Sequence, residues 1–245
     1  MARHSHWANI KHKKAKTDAV RGRVWTKCAR AIMVAAKNGG PDPDMNVTLR
    51  YAIDDARAVN MPRDTIEKAI KKGSGADSDA ENYTPIRYEG YGPGGVGFLV
   101  DCLTNNVTRT APEMREIFEK GGGRMSNPGT VAFNFQQKGL LRVPGAAATE
   151  DRLLELALDA GAEDIAQVDG VWEITTLPAD VQKVKTALQA ARIEPESAEI
   201  TMIPNTVVDV DAAAAQVLLD LVERLEDNDD VQKVYANFAV NSDSA

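Results

Sequence analysis

Hydrophobic positions recur along this chain with two different periods, and the change of period divides it. Over residues 18–37, Val20, Val24, Cys28, Ile32 and Ala35 repeat at helical spacing and form one apolar stripe. That predicts a helix, which Asn38-Gly39-Gly40-Pro41 ends. A second helix takes Asn46 as its cap and runs to Asn60, with Leu49, Ile53 and Ala56 turned inward. A third has Pro62 in its first turn, carries Ile66, Ala69 and Ile70, and stops at Gly73. Three short amphipathic helices predict a small bundle. The stretch Gly73–Asn82 is small, polar and acidic, the composition of a linker.

From residue 83 the pattern turns strand-like. Ile86–Glu89 and Val96–Cys102 read as strands around a Gly-rich turn, Gly90–Gly95. A helix follows, with Thr110 as cap and Glu113 completing a capping box; it buries Met114, Ile117 and Phe118 and ends at Gly121-Gly122-Gly123. Val131–Phe135 reads as a further strand. Residues 139–203 then hold a complete set: strand Leu140–Val143, helix Glu150–Ala160, strand Asp164–Val168, a turn at Asp169-Gly170, strand Val171–Thr175, helix Ala179–Ala190 and strand Ala198–Ile203. This βαββαβ order is the ferredoxin-like pattern. Val207–Val210, a helix Ala212–Leu225 and a last strand Val231–Phe238 are too few to fold alone, but with 95–135 they make a second such set.

The fold class expected is therefore α+β in three domains. A helical N-terminal domain, residues 1–75, forms the three-helix bundle. A discontinuous α/β domain is built from 83–135 and 206–240, and a ferredoxin-like domain, 139–203, is inserted in it.

Charge changes this picture from an architecture to a candidate function. The chain has 245 residues and a formal net charge of -7, but the charge is segregated. Residues 1–37 carry ten Lys and Arg against one acid, Asp18, a balance of +9, and hold all three histidines, His4, His6 and His12. Residues 76–245 carry 13 basic and 29 acidic side chains, a balance of -16. A basic head on an acidic body points to a localised contact with something anionic, because the body repels a polyanion. On α-helical geometry of 100° per residue, Arg23, Lys27, Arg30 and Lys37 fall within about 80° of one another, off the apolar stripe. Lys and Arg supply the sequence-independent, phosphate-neutralising part of nucleic-acid affinity. Interleaved His, Asn and Trp add stacking and hydrogen bonding, which suit RNA or distorted strands. The candidate nucleic-acid-binding set is Arg3, His4, His6, Trp7, Asn9, Lys11, His12, Lys13, Lys14, Lys16, Arg21, Arg23, Lys27 and Arg30. The plainer reading of such a run is a solvated face or tail; its density against an acidic chain favours binding. Trp7 taken alone is a packing anchor.

Other motifs resolve into ordinary structure. His4-x-His6 with His12 lacks an acidic or Cys ligand nearby and sits among cations, so no metal is expected. Gly90-Tyr91-Gly92-Pro93-Gly94-Gly95 spells GxGxxG, but a strand rather than a helix follows it, so it is a hairpin turn and no dinucleotide is expected. Gly121-Gly122-Gly123-Arg124 lacks the Gly-Lys-Ser/Thr of a P-loop. Glu226-Asp227-Asn228-Asp229-Asp230 lacks the Gly of a calcium loop and reads as a solvated turn. Cys28 and Cys102 are far apart and outside any CxxC, so neither a disulfide framework nor a zinc site is indicated. No catalytic constellation stands out: no His lies in the acidic part of the chain, and there is no Ser elbow or HExxH. A non-enzyme without cofactor or small-molecule substrate is expected. The N-terminal segment lacks an apolar core and the apolar runs are too short for a membrane span, so a cytoplasmic location is expected.

Three long motifs, His4-Ser5-His6-Trp7-Ala8-Asn9-Ile10-Lys11-His12-Lys13-Lys14, Tyr88-Glu89-Gly90-Tyr91-Gly92-Pro93-Gly94-Gly95 and Ala198-Glu199-Ile200-Thr201-Met202-Ile203-Pro204, closely resemble the YebC/PmpR family of transcriptional regulators. The mitochondrial translational activator of cytochrome oxidase is of the same family. The resemblance runs nearly end to end, through Ala160–Asp164 and Leu225–Val231. Arg3 and His6 stand where relatives often have Gly and Lys, and Arg124–Gly129 varies a Gly-rich turn. The resemblance implies a helical N-terminal domain with two α/β domains, cytoplasmic location and no catalysis. It also implies DNA-binding transcriptional regulation, or alternatively a ribosome- and rRNA-associated translation factor that relieves stalling on proline-rich stretches. In the first case the phosphate contacts fall to Lys11, Lys13, Lys14, Lys16, Arg21, Arg23, Lys27 and Arg30; in the second the His4–Trp7 tip reaches into an RNA pocket. A third reading makes the acidic α/β domains a protein-binding adaptor.

Overall fold

The computed structural model describes residues 18–75 and 82–240, with side chains from Gly22 onward. The chain is α+β and divides into two compact units, each of which takes in segments distant in sequence.

The first unit begins with three helices: α1 (Asp18–Gly39), α2 (Val47–Ala58) and α3 (Arg63–Gly73). The apolar spacing of each produces a shared core of Ile32, Ala35, Ala36, Leu49, Ile53, Ala56, Met61, Ile66 and Ala69. Asn46 ties two of these helices at one point. Its Oδ1 accepts from the Leu49 N–H (3.0 Å), capping α2, while its Nδ2 donates to the carbonyls of Ala35 (2.8 Å) and Gly40 (2.9 Å) at the end of α1. A buried amide is tolerated there because these bonds satisfy it. Trp25 adds a bond from its Nε1 to the Val59 carbonyl (3.1 Å).

The same unit contains a four-stranded antiparallel sheet. Its strands are β1 (Thr84–Tyr91), β2 (Gly97–Thr104), β3 (Arg124–Ser126) and β9 (Val231–Ala236), in the order β3-β1-β2-β9. Two helices serve it, α4 (Val107–Lys120) and α7 (Ala212–Glu226). The β1–β2 turn uses Gly94 and Gly95 at φ of 71° and 76°, which only glycine adopts without strain. Gly90 faces Phe118 of α4, where a Cβ would lie 2.6 Å from the ring, and Phe118 meets Phe98 edge-to-face at 6.1 Å.

The second unit holds β4 (Phe135–Pro144), α5 (Glu150–Asp159), β5 (Ala162–Val168), β6 (Val171–Thr176), α6 (Val181–Ala190) and β7 (Ser197–Pro204). Its sheet order is β5-β6-β4-β7, all antiparallel, which is the ferredoxin-like arrangement. Leu141, Val143, Trp172 and Ile174 of the sheet and Leu153, Ala157, Val184 and Leu188 of the helices are buried. The β5–β6 turn is Asp169-Gly170 with both φ positive, at 49° and 80°, the hairpin geometry these residues favour. Cross-strand partners Arg142 and Glu173 form a buried ion pair at 3.0 Å, and burial pushes the Glu173 carboxyl up.

The two sheets share a spatial plan but not a chain order. In the second unit the four places run second, third, first, fourth strand. In the first unit the place of the third strand is taken by β1, which precedes its neighbours in sequence. The ferredoxin-like pattern is thus met twice, once with a strand supplied from ahead of it.

Four local expectations are corrected. Helix α4 starts a turn before Thr110, and its cap is Asn106, whose side chain accepts from the Arg109 N–H (3.1 Å). Thr110 is instead buried, with its hydroxyl bonded to Asp230, Thr104 and the Asn106 carbonyl. Residues 131–134 are not a strand, and Phe135 already begins β4: Ala132–Asn134 form one 3₁₀ turn, held by Asn134 Oδ1 accepting from Thr206 N–H (3.0 Å) and hydroxyl (2.6 Å). The short β3 pairs with β1 ahead of it, and the buried Glu89 carboxylate accepts from the N–H groups of Gly129 and Val131, each at 2.6 Å. Lastly, β8 (Val208–Val210) pairs in parallel with β10 (Phe238–Val240) rather than joining the β1–β2 sheet.

Gly73 sits where α3 crosses α1, and a Cβ there would run into the Met33 backbone. Gly73→Ala should destabilise the protein by roughly 1–3 kcal/mol in a urea titration, because the overpacking outweighs the about 1 kcal/mol that Ala gains in helix propensity. Equal or raised stability would contradict this crossing.

Candidate nucleic-acid interface

The cations Arg23, Lys27 and Arg30 of α1 are engaged by another part of the chain. Arg23, Lys27 and Arg30 lie at helical spacing on one side of α1, and the turn joining α7 to β9 seats against that side. Arg23 Nη1 pairs with Asp227 Oδ1 at 2.6 Å. Lys27 Nζ donates to the Glu226 carbonyl. Arg30 Nη1 donates to the Asp229 carbonyl and pairs with Asp230 Oδ1 at 3.0 Å, and its guanidinium lies 5.1 Å over the Tyr83 ring. Arg30 and Asp230 are well buried, at 16% and 3% side-chain exposure, whereas Arg23 and Asp227 are exposed.

Asp230 is the centre of this contact. Its Oδ2 accepts from the Thr110 hydroxyl (2.7 Å) and from Arg109 Nη2, its N–H donates to Asn228 Oδ1 (3.0 Å), and its carbonyl accepts from the Leu103 N–H (2.8 Å). Burial alone would raise this carboxyl. The hydrogen bonds from Thr110 and Arg109, with the Arg109 charge, outweigh that and hold it below its ordinary value. Close by, Lys233 of β9 pairs with Asp55 of α2 at 3.9 Å. Burial, reinforced by Asp55, pushes the Cys28 thiol up to about 11. Burial, with Asp230 and Asp101, pushes the Cys102 thiol up to about 12. Neither sulfur is a ready nucleophile in this state.

The turn Glu226–Asp230, read from sequence as solvated, is therefore the seat of α1. A signal for it was present: four acids in five residues, in a chain with cations at positions 23, 27 and 30. The other sequence candidates fall differently. Arg3, His4, His6, Trp7, Asn9, Lys11, His12, Lys13, Lys14 and Lys16 lie outside the described residues, and Arg21 lies in α1 where the side chain is not described. Lys37, on the same side of α1, donates to Asn82 Oδ1. The lysines of α3 were not among the sequence candidates. Lys68 makes only a long pair with Asp64 (3.7 Å), and Lys71 and Lys72 form the basic last turn. Among the described residues no group of three or more His, Cys, Asp or Glu side chains could hold a metal ion, and no helix is long and apolar enough to cross a membrane.

A three-helix bundle followed by two four-stranded antiparallel sheets, each with its own helices, defines a class of multi-part α+β protein. The chain belongs to the TACO1/YebC family: residues 5–76 match the family's N-terminal domain and residues 83–238 its second and third domain. It is 48% identical over 242 residues to a protein of Sulfurihydrogenibium, covering 98% of this chain and 96% of that one. It is 51% identical over 244 residues to a protein of Methylococcus capsulatus, covering 99% and 98%. Both relatives bear the name probable transcriptional regulatory protein. A solved structure of a conserved hypothetical protein from Aquifex aeolicus is 43% identical and superposes with a TM-score of 0.85 over 98% of this chain and 99% of that one.

Asp230→Asn should cost about 2–3 kcal/mol at neutral pH, the usual worth of hydrogen bonds to a buried charge. Because the folded carboxyl is held below its ordinary value, its contribution is present above the ordinary aspartate range and lost as pH falls through and below about 3.9. Urea titrations of both proteins should therefore show a gap that closes towards acid pH. A gap independent of pH would contradict the charged role of Asp230.

Proposed function

We propose that this chain is a non-enzymatic, cytoplasmic nucleic-acid-binding regulator of gene expression, acting in the first place as a DNA-binding transcriptional regulator. The observation that carries this reading is the segregation of charge: +9 over residues 1–37 against -16 over residues 76–245. Such a chain attracts a polyanion at one end and repels it along the rest. The relatives' names, which speak of transcriptional regulation, favour DNA as the target.

One observation favours the alternative, an RNA- or ribosome-associated translation factor. The longest helix described is α1, of 22 residues, and its cations Arg23, Lys27 and Arg30 are engaged by the chain's own acidic turn. A helix entering a DNA major groove needs a face clear for bases and phosphates. The His4–Trp7 tip suits unpaired bases better than a duplex.

In either reading the phosphate contact rests on the segment Lys11–Lys16. Lys13→Glu with Lys14→Glu is expected to abolish binding of both a 20-base-pair duplex and a 20-nucleotide RNA at about 0.15 M salt, as read by fluorescence anisotropy, with the circular dichroism of the sheets unchanged. Whichever probe the wild type binds more tightly identifies the target class. Unchanged affinity of the double variant for both probes would sink the proposal.

A further inference from the structure

The ten Lys and Arg residues from Arg23 to Lys72 differ sharply in what holds them. Arg23, Lys27 and Arg30 are taken by the acidic turn, and Lys37 by Asn82. Arg50 donates to the carbonyls of Pro43 (3.1 Å) and Asp44 (3.0 Å), bracing the loop ahead of α2. Arg57 pairs with Asp54 and Arg63 with Glu67. Lys68 has the 3.7 Å pair with Asp64, both side chains being largely exposed. Of these, only the side chains of Lys71 and Lys72 have no hydrogen-bonding or ionic partner among the described residues; the Lys71 carbonyl accepts from the Ser74 hydroxyl (3.0 Å). They are adjacent, in the last turn of α3, and Lys68 stands one turn behind them on the same side, since residues three and four apart are helix neighbours. The opposite side of α3 carries Ile66, Ala69 and Gly73, all buried in the bundle. Gly73 lets the end of α3 that carries these lysines lie against the Met33 backbone of α1 at near-contact.

We infer that Lys68, Lys71 and Lys72 form a phosphate-binding surface of the bundle, and that this surface rather than the cationic side of α1 tracks the backbone of a bound nucleic acid. This rests on the nucleic-acid reading above and assigns it a second contact. The physical reason is exchange. A phosphate at Arg23, Lys27 or Arg30 must displace carboxylates and carbonyls already bonded there, whereas at the Lys71 and Lys72 ammonium groups no described residue has to be displaced, and the exchange is with water and counterions, whose release drives binding. Two lysines in the last turn also favour their own helix through its terminal carbonyls, so stability is read separately.

The test is Lys71→Gln with Lys72→Gln in the full chain, titrated with a 20-nucleotide single-stranded RNA and with a 20-base-pair duplex across a range of salt. Lys183→Gln with Lys185→Gln on α6 removes the same charge elsewhere. Losing two phosphate contacts should flatten the slope of log K against log salt by about 1.4 for the RNA and about 1.8 for the duplex, and weaken binding about 30-fold near 0.1 M salt. The α6 variant should stay within about two-fold of wild type, and both variants should melt cooperatively. An α3 variant that tracks the α6 variant overturns the inference, as does a loss of affinity on Arg23→Gln that exceeds it. Equal weakening of poly-glutamate binding would make this an acidic-protein surface and likewise overturn it. A wild-type chain that binds neither probe even at low salt would instead remove the nucleic-acid reading on which the inference stands.

Discussion

The buried carboxylate of Asp230 is the constraint on which the arrangement of the first unit depends. An anion removed from water must be surrounded by donors or it destabilises the fold by several kcal/mol. Here the donors come from separate parts of the chain: Arg30 from α1, and Arg109 and Thr110 from α4, while Leu103 of β2 binds the Asp230 carbonyl. That requirement explains several features together. It draws Thr110 into the interior and so moves the start of α4 back to Asn106. It fixes the turn Glu226–Asp230 at the end of α7, and it sets the register in which α1 lies, with Arg23, Lys27 and Arg30 in sequence along the turn. The helical bundle is thus joined to the β1–β2 sheet by charge as much as by apolar packing.

Much of the architecture was legible in the sequence because local rules and tertiary packing agree. The apolar spacing of α1, α2 and α3, the Asn46 cap, the Gly73 stop and the Asp169-Gly170 hairpin all act within a few residues, so one segment carries its own instruction. What the sequence concealed acts across long separations. Thr110 and Glu113 spell a capping box, but Thr110 is claimed by Asp230 from 120 residues away. The sequence marks Glu89 only as the end of a strand, yet its carboxylate accepts from the N–H groups of Gly129 and Val131 some 40 residues on. Val131–Phe135 has strand composition, but Asn134 bonds to Thr206 and breaks it.

The same distinction governs the candidate site. Counting charges located the basic end of the chain, because net charge needs no three-dimensional information. It did not distinguish cations that are used internally from cations that are available. Arg30 and Lys71 are equivalent in a sequence count, yet the largely covered Arg30 pairs with the buried Asp230 while Lys71 stands in solvent. Four acids in one turn imply a solvated loop when only their neighbours in sequence are considered; their complement on α1 lies some 200 residues earlier.

The proposed function is a division of labour, in which the basic helical end is the one to meet nucleic acid and the two acidic α/β domains are not. Ultraviolet crosslinking of the full-length protein to a bound 20-nucleotide RNA or 20-base-pair duplex, followed by mass-spectrometric mapping of the modified peptides, tests this most directly. The account predicts crosslinks within residues 1–75 and none on the sheet strands β4 to β7. Crosslinks concentrated on those strands, with residues 1–75 unmodified, would contradict it.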